Sequence, residues 1–384
     1  MAGNVISQLT TPGAPPYFGD SKRLASLDAF RGLTIVGMIL VNSPGDWDIA
    51  YAPLKHASWN GITLADVIFP FFLFIVGVSI VLAYTRRLRE KLPRRKIVIK
   101  IFKRTLLIFA IGLLLNMGQD GFQHLRITGV LQRIAIVFFV AVLLFLYTGI
   151  MTQIILGSAI LETYWLALWL VPVPGTGAGI MEPGRNLAAW VDSILLPGRM
   201  YQGTWDPEGI LSTFPAIVTS ITGMVAGRIL ISRNPAEKKL VILFSLGFLL
   251  FLAGGAWNWV FPLNKNLWTS SFVLFTSGLA MMALAAFIWV VDVLEHKKWC
   301  EVFVIFGTNA ITAYVLHGLL KAPFILINVG GPGEERNIMG AFMERVTGFG
   351  VPDQLASLSW ALLFTSLCFV PVWLLYRKKI FIRV

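Results

Sequence analysis

Charged residues are scarce in this chain of 384 residues: 14% are Asp, Glu, Lys or Arg, and 56% are hydrophobic. Soluble domains average about 25% charged residues. Apolar runs long enough to cross about 30 Å of hydrocarbon recur along the chain, without the ten-residue alternation that is typical of a membrane barrel. The sequence therefore argues against a soluble protein and predicts an all-α, polytopic integral membrane protein.

Cysteine is nearly absent, with Cys300 in a basic loop and Cys368 in an apolar segment. A disulfide between them is not expected. The sequence also lacks a Walker A loop, a GxSxG elbow, an HExxH pair, a Cys/His cluster and a CxxCH haem site. We therefore expect neither a metal nor a redox cofactor.

Ten apolar segments predict ten transmembrane helices. Their approximate bounds are 24–43, 63–85, 97–116, 127–148, 151–171, 210–231, 239–260, 269–293, 302–320 and 357–376. They form one predicted transmembrane domain, 23–384, after a mobile Pro- and Gly-rich tail at 1–22 that shows no signal-peptide pattern.

The basic residues predict the orientation of these helices. The net charge of +12 fits the positive-inside rule better than nucleic-acid binding, because Lys and Arg concentrate in every second connecting segment. This bias predicts that both termini are cytoplasmic and that two long loops, 172–209 and 321–356, lie outside. The first loop contains NLAAWVDSILL at 186–196, an amphipathic stretch suited to the membrane interface.

The stretch HASWNGITLAD at 56–66 places a histidine and an aspartate at the outer end of the second span. Thr63 and Asp66 have the spacing of a capping box, which would satisfy the start of the helix. His56 is either a surface histidine of the loop or a general base that Asp66 orients. The spacing alone leaves both interpretations open.

Further polar residues fall at the outer ends of spans and are candidates for substrate binding. They are Asn42, Asn60, Asp206, Glu208, Asn258, Lys265 and His317. For Asp206 and Glu208 the simpler interpretation is a helix start, with Pro207 at an early helical position and acids in the first turn. For His317 it is packing against neighbouring helices.

Other polar residues lie inside spans or near their cytoplasmic ends. Asp28 and Arg31 are three residues apart, as in a local ion pair, and Gly32 permits close approach of another helix or a ligand. Arg133 is either a structural partner of a carboxylate or a ligand contact. Asn309 is of a type that ties membrane helices together.

The chain resembles the heparan-α-glucosaminide N-acetyltransferase family of transmembrane acyltransferases. The resemblance rests on ordered motifs between residue 23 and about residue 318, among them RLASLDAFRGLTIVGMILVN, HASWNGITLADVIFPFF, GVLQRIA, DPEGILSTFPAIVTSITGMVAGR, NKNLWTSSFVL and GTNAITAYVLHG. The chain looks like a bacterial member of the inner membrane, because it lacks the large extracytoplasmic N-terminal domain of the lysosomal enzyme.

The resemblance implies a reaction and a set of residues. Cytosolic acetyl-CoA would donate an acetyl group to the amino group of glucosamine or a related amino sugar across the membrane, with His56, Asp66 and Asn42 as the catalytic residues. With a cytosolic donor, and not from the resemblance itself, Arg31, Lys103, Arg104, Arg133 and Asn309 are candidates for binding acetyl-CoA. The expected partners are acetyl-CoA, an amino-sugar or glycan acceptor and the lipid bilayer, with no nucleic acid; a homodimer is compatible with them.

Several alternatives stay open at this point. The acetyl group passes either directly to the acceptor or through an acetyl-histidine at His56. The acceptor is either an amine or, in an O-acyltransferase, the hydroxyl of an exported glycan. The third hypothesis is a sugar transporter, for which internal repeats and broken helices are expected.

Overall fold

The computed structural model describes residues 24–120, 125–330 and 336–382. The predicted tail at 1–22 lies outside these residues. Across the described ranges the secondary structure is helical and contains no β-strand beyond isolated bridges, which confirms the all-α class.

Thirteen α-helices follow one another in the described part of the chain. They are α1 Ala25–Asn42, α2 Leu64–Arg89, α3 Arg94–Asp120, α4 Val130–Tyr147, α5 Ile150–Leu170, α6 Leu187–Leu195, α7 Ile210–Ile231, α8 Ala236–Trp257, α9 Ser270–Phe287, α10 Glu301–Thr308, α11 Ala310–Leu326, α12 Ile338–Gly348 and α13 Asp353–Arg377. A π-helical segment, Ile288–Val293, continues α9.

Each of the ten predicted spans coincides with a helix, but the number of membrane crossings is not confirmed. Eight described helices are long and apolar enough to cross a bilayer, namely α1, α2, α4, α5, α7, α8, α9 with its π-helical extension, and α13. The third predicted span became α3, whose first half carries six basic residues. The ninth became the pair α10 and α11, which is bent by 77° at Asn309. The chain is a multi-pass helical membrane protein.

The long loops contain helices of their own. The amphipathic stretch at 186–196 forms α6, and the side chain of Asn186 caps it by accepting a hydrogen bond from the Ala189 N–H at 2.9 Å. The loop at 321–356 is shorter than predicted, because α11 continues to Leu326 and α12 occupies 338–348.

The helices form two compact units. One contains Ala25–Phe69 and Glu295–Val384, and the other is built mainly by Pro70–Leu294; we call them the split unit and the central unit. In the central unit, α7 packs against α4, α5 and α9. Small residues such as Ala216, Ser220 and Gly223 lie buried along α7, which is how membrane helices come close together.

The split unit is held together by a close crossing of α1 and α10 at two glycines. A Cβ atom on Gly32 would overlap the carbonyl oxygen of Phe303, and one on Gly307 would overlap that of Asp28. Only glycine permits this separation of the two backbones. The predicted close approach of a helix at Gly32 is confirmed.

Candidate active site

Asp66 is fixed at the start of α2 by the chain that precedes it. Its Oδ2 atom accepts hydrogen bonds from the Thr63 N–H at 3.1 Å, the Thr63 hydroxyl at 3.1 Å and the Ala57 N–H at 3.0 Å. The Thr63 N–H is one of the donors that a helix start leaves without an intrahelical partner. The predicted cap is therefore present, and it leaves the carboxylate buried with 1% of its surface exposed.

His56 contacts the second oxygen of this carboxylate. Its Nδ1 atom lies 2.8 Å from Oδ1 of Asp66. The imidazole has 36% of its side-chain surface exposed, whereas the Asp66 side chain has 1%. The loop at 57–62 thus folds the histidine back over the helix start, and the two functions considered for Asp66 coexist in one side chain.

The contact assigns the tautomer of the imidazole. An ionised carboxylate only accepts hydrogen bonds, so Nδ1 of His56 carries the proton and Nε2 of the neutral ring carries the lone pair. A buried carboxylate that orients a histidine in this way is the arrangement used by enzymes whose histidine takes a proton from a nucleophile. The pair is chemically able to act as a general base.

Asn42 lies at the C-terminal end of α1. Its Nδ2 atom donates to the Met38 carbonyl at 2.9 Å, and its own carbonyl accepts from Nζ of Lys321 at 2.7 Å. One Nδ2 proton is used in this way, which leaves the other available to a ligand. No local pattern pairs Lys321 with Asn42, because the two residues lie 279 positions apart.

His317 is buried beside the same end of α1. It is 8% exposed, its Nε2 atom lies 2.9 Å from the Ser43 hydroxyl, and its ring packs against Tyr314 and Phe364. These contacts favour the packing interpretation over a second base or an acceptor ligand.

Two candidates for binding acetyl-CoA in the split unit are occupied by intramolecular bonds. Arg31 contacts Asp28 at 3.1 Å, which confirms the local ion pair, and donates to the Gly307 carbonyl at 3.3 Å. Asn309 is 1% exposed; its Nδ2 donates to the Ile380 carbonyl and its Oδ1 accepts from the Ile382 N–H. Asn309 thereby ties the break between α10 and α11 to the end of the chain.

In the central unit, Asp206 and Glu208 form a buried network around Arg126. Arg126 lies 2.6 Å from Asp206 and 2.5 Å from Glu208, and Thr128 donates to Asp206 at 2.6 Å. The prediction that these acids occupy the first turn of a helix is wrong, because α7 begins at Ile210 after an N-cap at Gly209. Both acids instead lie in the segment that precedes α7, where they form ion pairs with Arg126.

Asp206 has little capacity left for a substrate. Its two oxygens also accept the N–H groups of Tyr201 and Glu208, besides those of Arg126 and Thr128. Burial alone would raise its pKa, but the hydrogen bonds and charge of Arg126 bring it below the ordinary value. No local pattern predicts the network, because Arg126 lies 80 positions from Asp206 in the sequence.

Arg133 is fully buried at the start of α4. Its Nη2 atom donates to the Ser212 hydroxyl and to the Gly209 carbonyl at 3.2 Å, and its guanidinium lies 5.2 Å from the centroid of the Trp268 ring. These bonds connect α4 to the start of α7. Arg133 therefore links the two helices through Nη2, by bonds to a hydroxyl and a carbonyl and not to the predicted carboxylate. Its buried Nε and Nη1 atoms have no hydrogen-bond partner among the described residues.

Asp192 in α6 also supports the start of α7. Its Oδ1 atom accepts the Ile210 N–H at 2.8 Å, and the residue is 2% exposed. Burial raises the pKa of this carboxyl to about 6, against the effect of the Ile210 hydrogen bond. The sequence did not single out Asp192, since an acid within an amphipathic helix is unremarkable.

The remaining candidates lie at the surface or close a loop. Asn60 and Lys103 are exposed, and Arg104 is stacked 4.7 Å from the centroid of the Phe138 ring. Asn258 accepts the Leu263 N–H at 2.8 Å, and the Lys265 carbonyl accepts the Trp268 N–H at 3.1 Å. Among the side chains that the structure describes, no group of three His, Cys, Asp or Glu is placed to hold a metal ion.

Fold and site together define a helical, multi-pass membrane protein with an Asp–His pair at the head of its second long helix. The sequence model of the family described as "Heparan-alpha-glucosaminide N-acetyltransferase, catalytic" matches residues 23–254, a range that contains this pair, and the chain belongs to that family.

Two curated relatives agree with this assignment. The chain is 33% identical over 362 residues to heparan-alpha-glucosaminide N-acetyltransferase of Mus musculus and 34% identical over 361 residues to the Homo sapiens protein of the same name. Each alignment covers 79% of this chain and 54% of the relative. The chain thus spans about half the length of the curated relatives that it matches.

Proposed function

We propose that the protein is an acetyltransferase of the inner membrane that moves an acetyl group from acetyl-CoA to the amino group of glucosamine or a related terminal amino sugar. The observation that carries this proposal is the contact between exposed His56 and buried Asp66 in a chain of this family. The contact orients an imidazole that is 36% exposed beside a buried carboxylate, which suits a general base for the acylation of an amine.

In the proposed mechanism His56 activates the acceptor. The neutral form of the amino group attacks the thioester carbon, and Nε2 of His56 accepts the proton that the nitrogen loses as the new bond forms. The carbon–sulfur bond then breaks, the electron pair leaves with the CoA sulfur, and the imidazolium returns the proton to that thiolate. Asp66 stabilises the imidazolium, and the free Nδ2 proton of Asn42 is the donor we assign to the developing oxyanion.

The proposed topology has both termini in the cytoplasm and the His56 loop on the outer side. Acetyl-CoA then approaches from the cytoplasm. Because Arg31 and Asn309 are engaged within the protein and Arg133 is fully buried, Lys103 and Arg104 on α3 are the better candidates for its phosphates. Direct transfer needs only the single base, whereas a relay through acetyl-His56 would require the same nitrogen to act as nucleophile.

One observation favours transport of a sugar as the second candidate. The pair α10 and α11 is a broken helix with a bend of 77°, and broken helices form the binding sites of many transporters. The break is nevertheless filled by the Asn309 side chain and its bonds to 380–382. We therefore place acetyl transfer first.

The test is an assay of the purified protein in nanodiscs with acetyl-CoA labelled in the acetyl group. We expect label on glucosamine but not on glucose, which has only hydroxyl acceptors; label on glucose would indicate an O-acyltransferase.

His56→Ala should lower kcat by about 10²-fold or more. His296→Ala, which changes an exposed loop histidine, is the matched control. Equal activity of both variants would reject the base, and protein-dependent uptake of sugar into vesicles without any acetyl transfer would favour the transporter.

A further inference from the structure

A cleft of about 710 Å³ lies in the split unit between two segments that the mechanism above does not use. One wall is the turn Asp46, Trp47 and Asp48, which follows α1, and the other is the start of α12 with Arg336, Asn337 and Glu344. The cleft is broadly open to solvent, and its volume can accommodate a sugar unit. His56 is not among the residues that line the cleft.

The turn is held rigidly at the edge of the cleft. The Ser357 carbonyl accepts the Gly45 N–H at 3.3 Å. The Ser357 hydroxyl accepts the Asp46 N–H at 3.1 Å and donates to the Asp46 carbonyl. A Cβ atom on Gly45 would collide with the sulfur of Met343. These contacts fix the backbone while the next side chain, Trp47, points outward with 46% of its surface exposed.

The polar groups around Trp47 have unused hydrogen-bonding capacity. The Asp48 carboxylate has no partner among the described residues, and Asp46 uses only Oδ1, to accept the Asp48 N–H at 2.8 Å. On the facing wall Asn337 uses its Oδ1 to cap α12 through the Gly340 N–H at 2.8 Å, which leaves its Nδ2 protons available. Arg336 and Glu344 pair with each other beside it.

This combination suits one class of ligand. A pyranose ring presents a face of C–H groups that packs on an exposed aromatic ring, and hydroxyls around its rim that donate to carboxylates and accept from an amide. A purely apolar ligand would make no hydrogen bond to the carboxylates, and a ligand that only forms hydrogen bonds would make no use of the apolar indole face.

The turn is also joined to the proposed active site. Nζ of Lys55 donates to the Asp48 carbonyl, and the Lys55 carbonyl accepts the Thr63 hydroxyl at 2.6 Å. Thr63 in turn bonds Asp66, the partner of His56. On its other side the turn follows Asn42, and Nζ of Lys321, which bonds the Asn42 carbonyl, lies 5.8 Å from the centroid of the Trp47 ring.

We propose that this cleft is a second saccharide subsite, in which Trp47 stacks on the sugar unit next to the one acetylated at His56. The inference rests on the proposed function for the identity of the reacting sugar, but the binding of a pyranose at Trp47 does not depend on catalysis. It assigns glycans of two or more units as better acceptors than free glucosamine.

Kinetics test the subsite directly. The ratio of kcat/KM for a glucosamine disaccharide to that for glucosamine should exceed one in the unchanged protein. Trp47→Ala should lower this ratio by about fivefold or more, since a stacking contact of about 1 kcal/mol corresponds to that factor. Trp47→Phe should keep most of it. Because the ratio is taken within each protein, any change in the reaction of glucosamine itself cancels. Trp259→Ala, at a tryptophan that is 88% exposed, is the control.

A binding measurement separates this proposal from the proposed function. Saturation-transfer NMR on the His56→Ala protein should show disaccharide binding that Trp47→Ala abolishes and Trp259→Ala preserves. If the protein acetylates no amine yet this binding is seen, the proposed function fails and the subsite stands. An unchanged kinetic ratio in Trp47→Ala, or disaccharide binding that does not require Trp47, overturns the subsite.

Discussion

Oδ1 of Asp66 lies 2.8 Å from Nδ1 of His56, while Oδ2 of the same carboxylate accepts the N–H groups of Ala57 and Thr63. One side chain therefore closes the loop, begins the helix and orients the imidazole. Because the helix start fixes the carboxylate, the ring is held in place before any substrate binds, as preorganised catalysis requires.

Asp66→Asn should abolish most of the activity without unfolding the protein. The amide oxygen can still accept the backbone N–H groups, but the NH₂ group facing His56 requires Nδ1 as an acceptor, so that Nε2 carries the proton and cannot take another. We expect kcat to fall by about 10²-fold or more with the melting temperature nearly unchanged. The double variant with His56→Ala should be no less active than His56→Ala alone, since the two residues act as a unit.

Thr63→Val is the matched change at the same helix start. It removes the hydroxyl bonds to Lys55 and Asp66 but keeps the Thr63 N–H. A loss of about 1 kcal/mol in the free energy of unfolding is expected, with most of the activity retained. Comparable loss of kcat in both variants would mean that Asp66 acts only through the cap.

Arg126→Gln should destabilise the protein strongly. It leaves Asp206 with no charged partner at a site where the side chain has no exposed surface, and breaking a buried pair from one side costs about 3–5 kcal/mol. A large drop in the midpoint of thermal unfolding in detergent would show this. Arg185→Gln, in an ion pair with Glu182 whose side chains are both more than half exposed, should change the midpoint little.

Neutralising both acids should partly restore the stability that Arg126→Gln removes. Adding Asp206→Asn and Glu208→Gln to Arg126→Gln removes the unpaired charges and should recover part of the lost stability. A triple variant that is less stable than Arg126→Gln would show that the acids have partners that matter more than Arg126.

The raised pKa of Asp192 should make the stability of the protein depend on pH. Its pKa in the folded state, about 6, lies above the ordinary value of 3.8, so the folded protein binds this proton more tightly than the unfolded chain does. Stability from this group is therefore present at low pH and is lost as pH rises from about 4 to 6. Asp192→Asn keeps an oxygen for the Ile210 N–H and should remove this loss.

The measurement is the difference in unfolding midpoint between Asp192→Asn and the unchanged protein from pH 4 to pH 7. We expect the difference to increase in favour of the variant as pH rises. Asp206, whose pKa is lowered, acts in the opposite direction, because its stabilisation is lost as pH falls. A difference that stays flat across the range would contradict the role assigned to Asp192.

Gly32→Ala should prevent the close crossing of α1 and α10. Its Cβ would overlap the backbone oxygen of Phe303, which cannot move as a side chain could. We expect a low yield of monodisperse protein and a lower unfolding midpoint. Gly255→Ala is the control: Gly255 lies within α8 with open space around it, and there alanine should raise stability by up to about 1 kcal/mol. Equal behaviour of the two variants would show that the crossing is not tight.

Much of the architecture follows from local properties of the sequence. Apolar runs of membrane length predicted a helix at each of the ten segments, and the T-x-x-D pattern predicted the cap at Thr63 and Asp66. The helix start at DPEG was wrong because a contact between residues 80 positions apart, Arg126 to Asp206, overrode local helix-start preferences. The break at Asn309 was not predicted either, since the composition of α10 and α11 together is that of one span.

By itself the sequence determined that this chain forms apolar helices, that Thr63 and Asp66 cap one of them, and that it belongs to a family of acetyltransferases, because hydropathy, capping and motifs are local along the chain. Only the tertiary structure decided which polar side chains are committed to the fold and which are exposed to a ligand. In the folded protein Arg31, Asp206 and Asn309 bond to other groups of the chain, whereas His56 is partly exposed beside a buried carboxylate. Such a choice depends on distances between residues far apart in sequence, which no local pattern specifies.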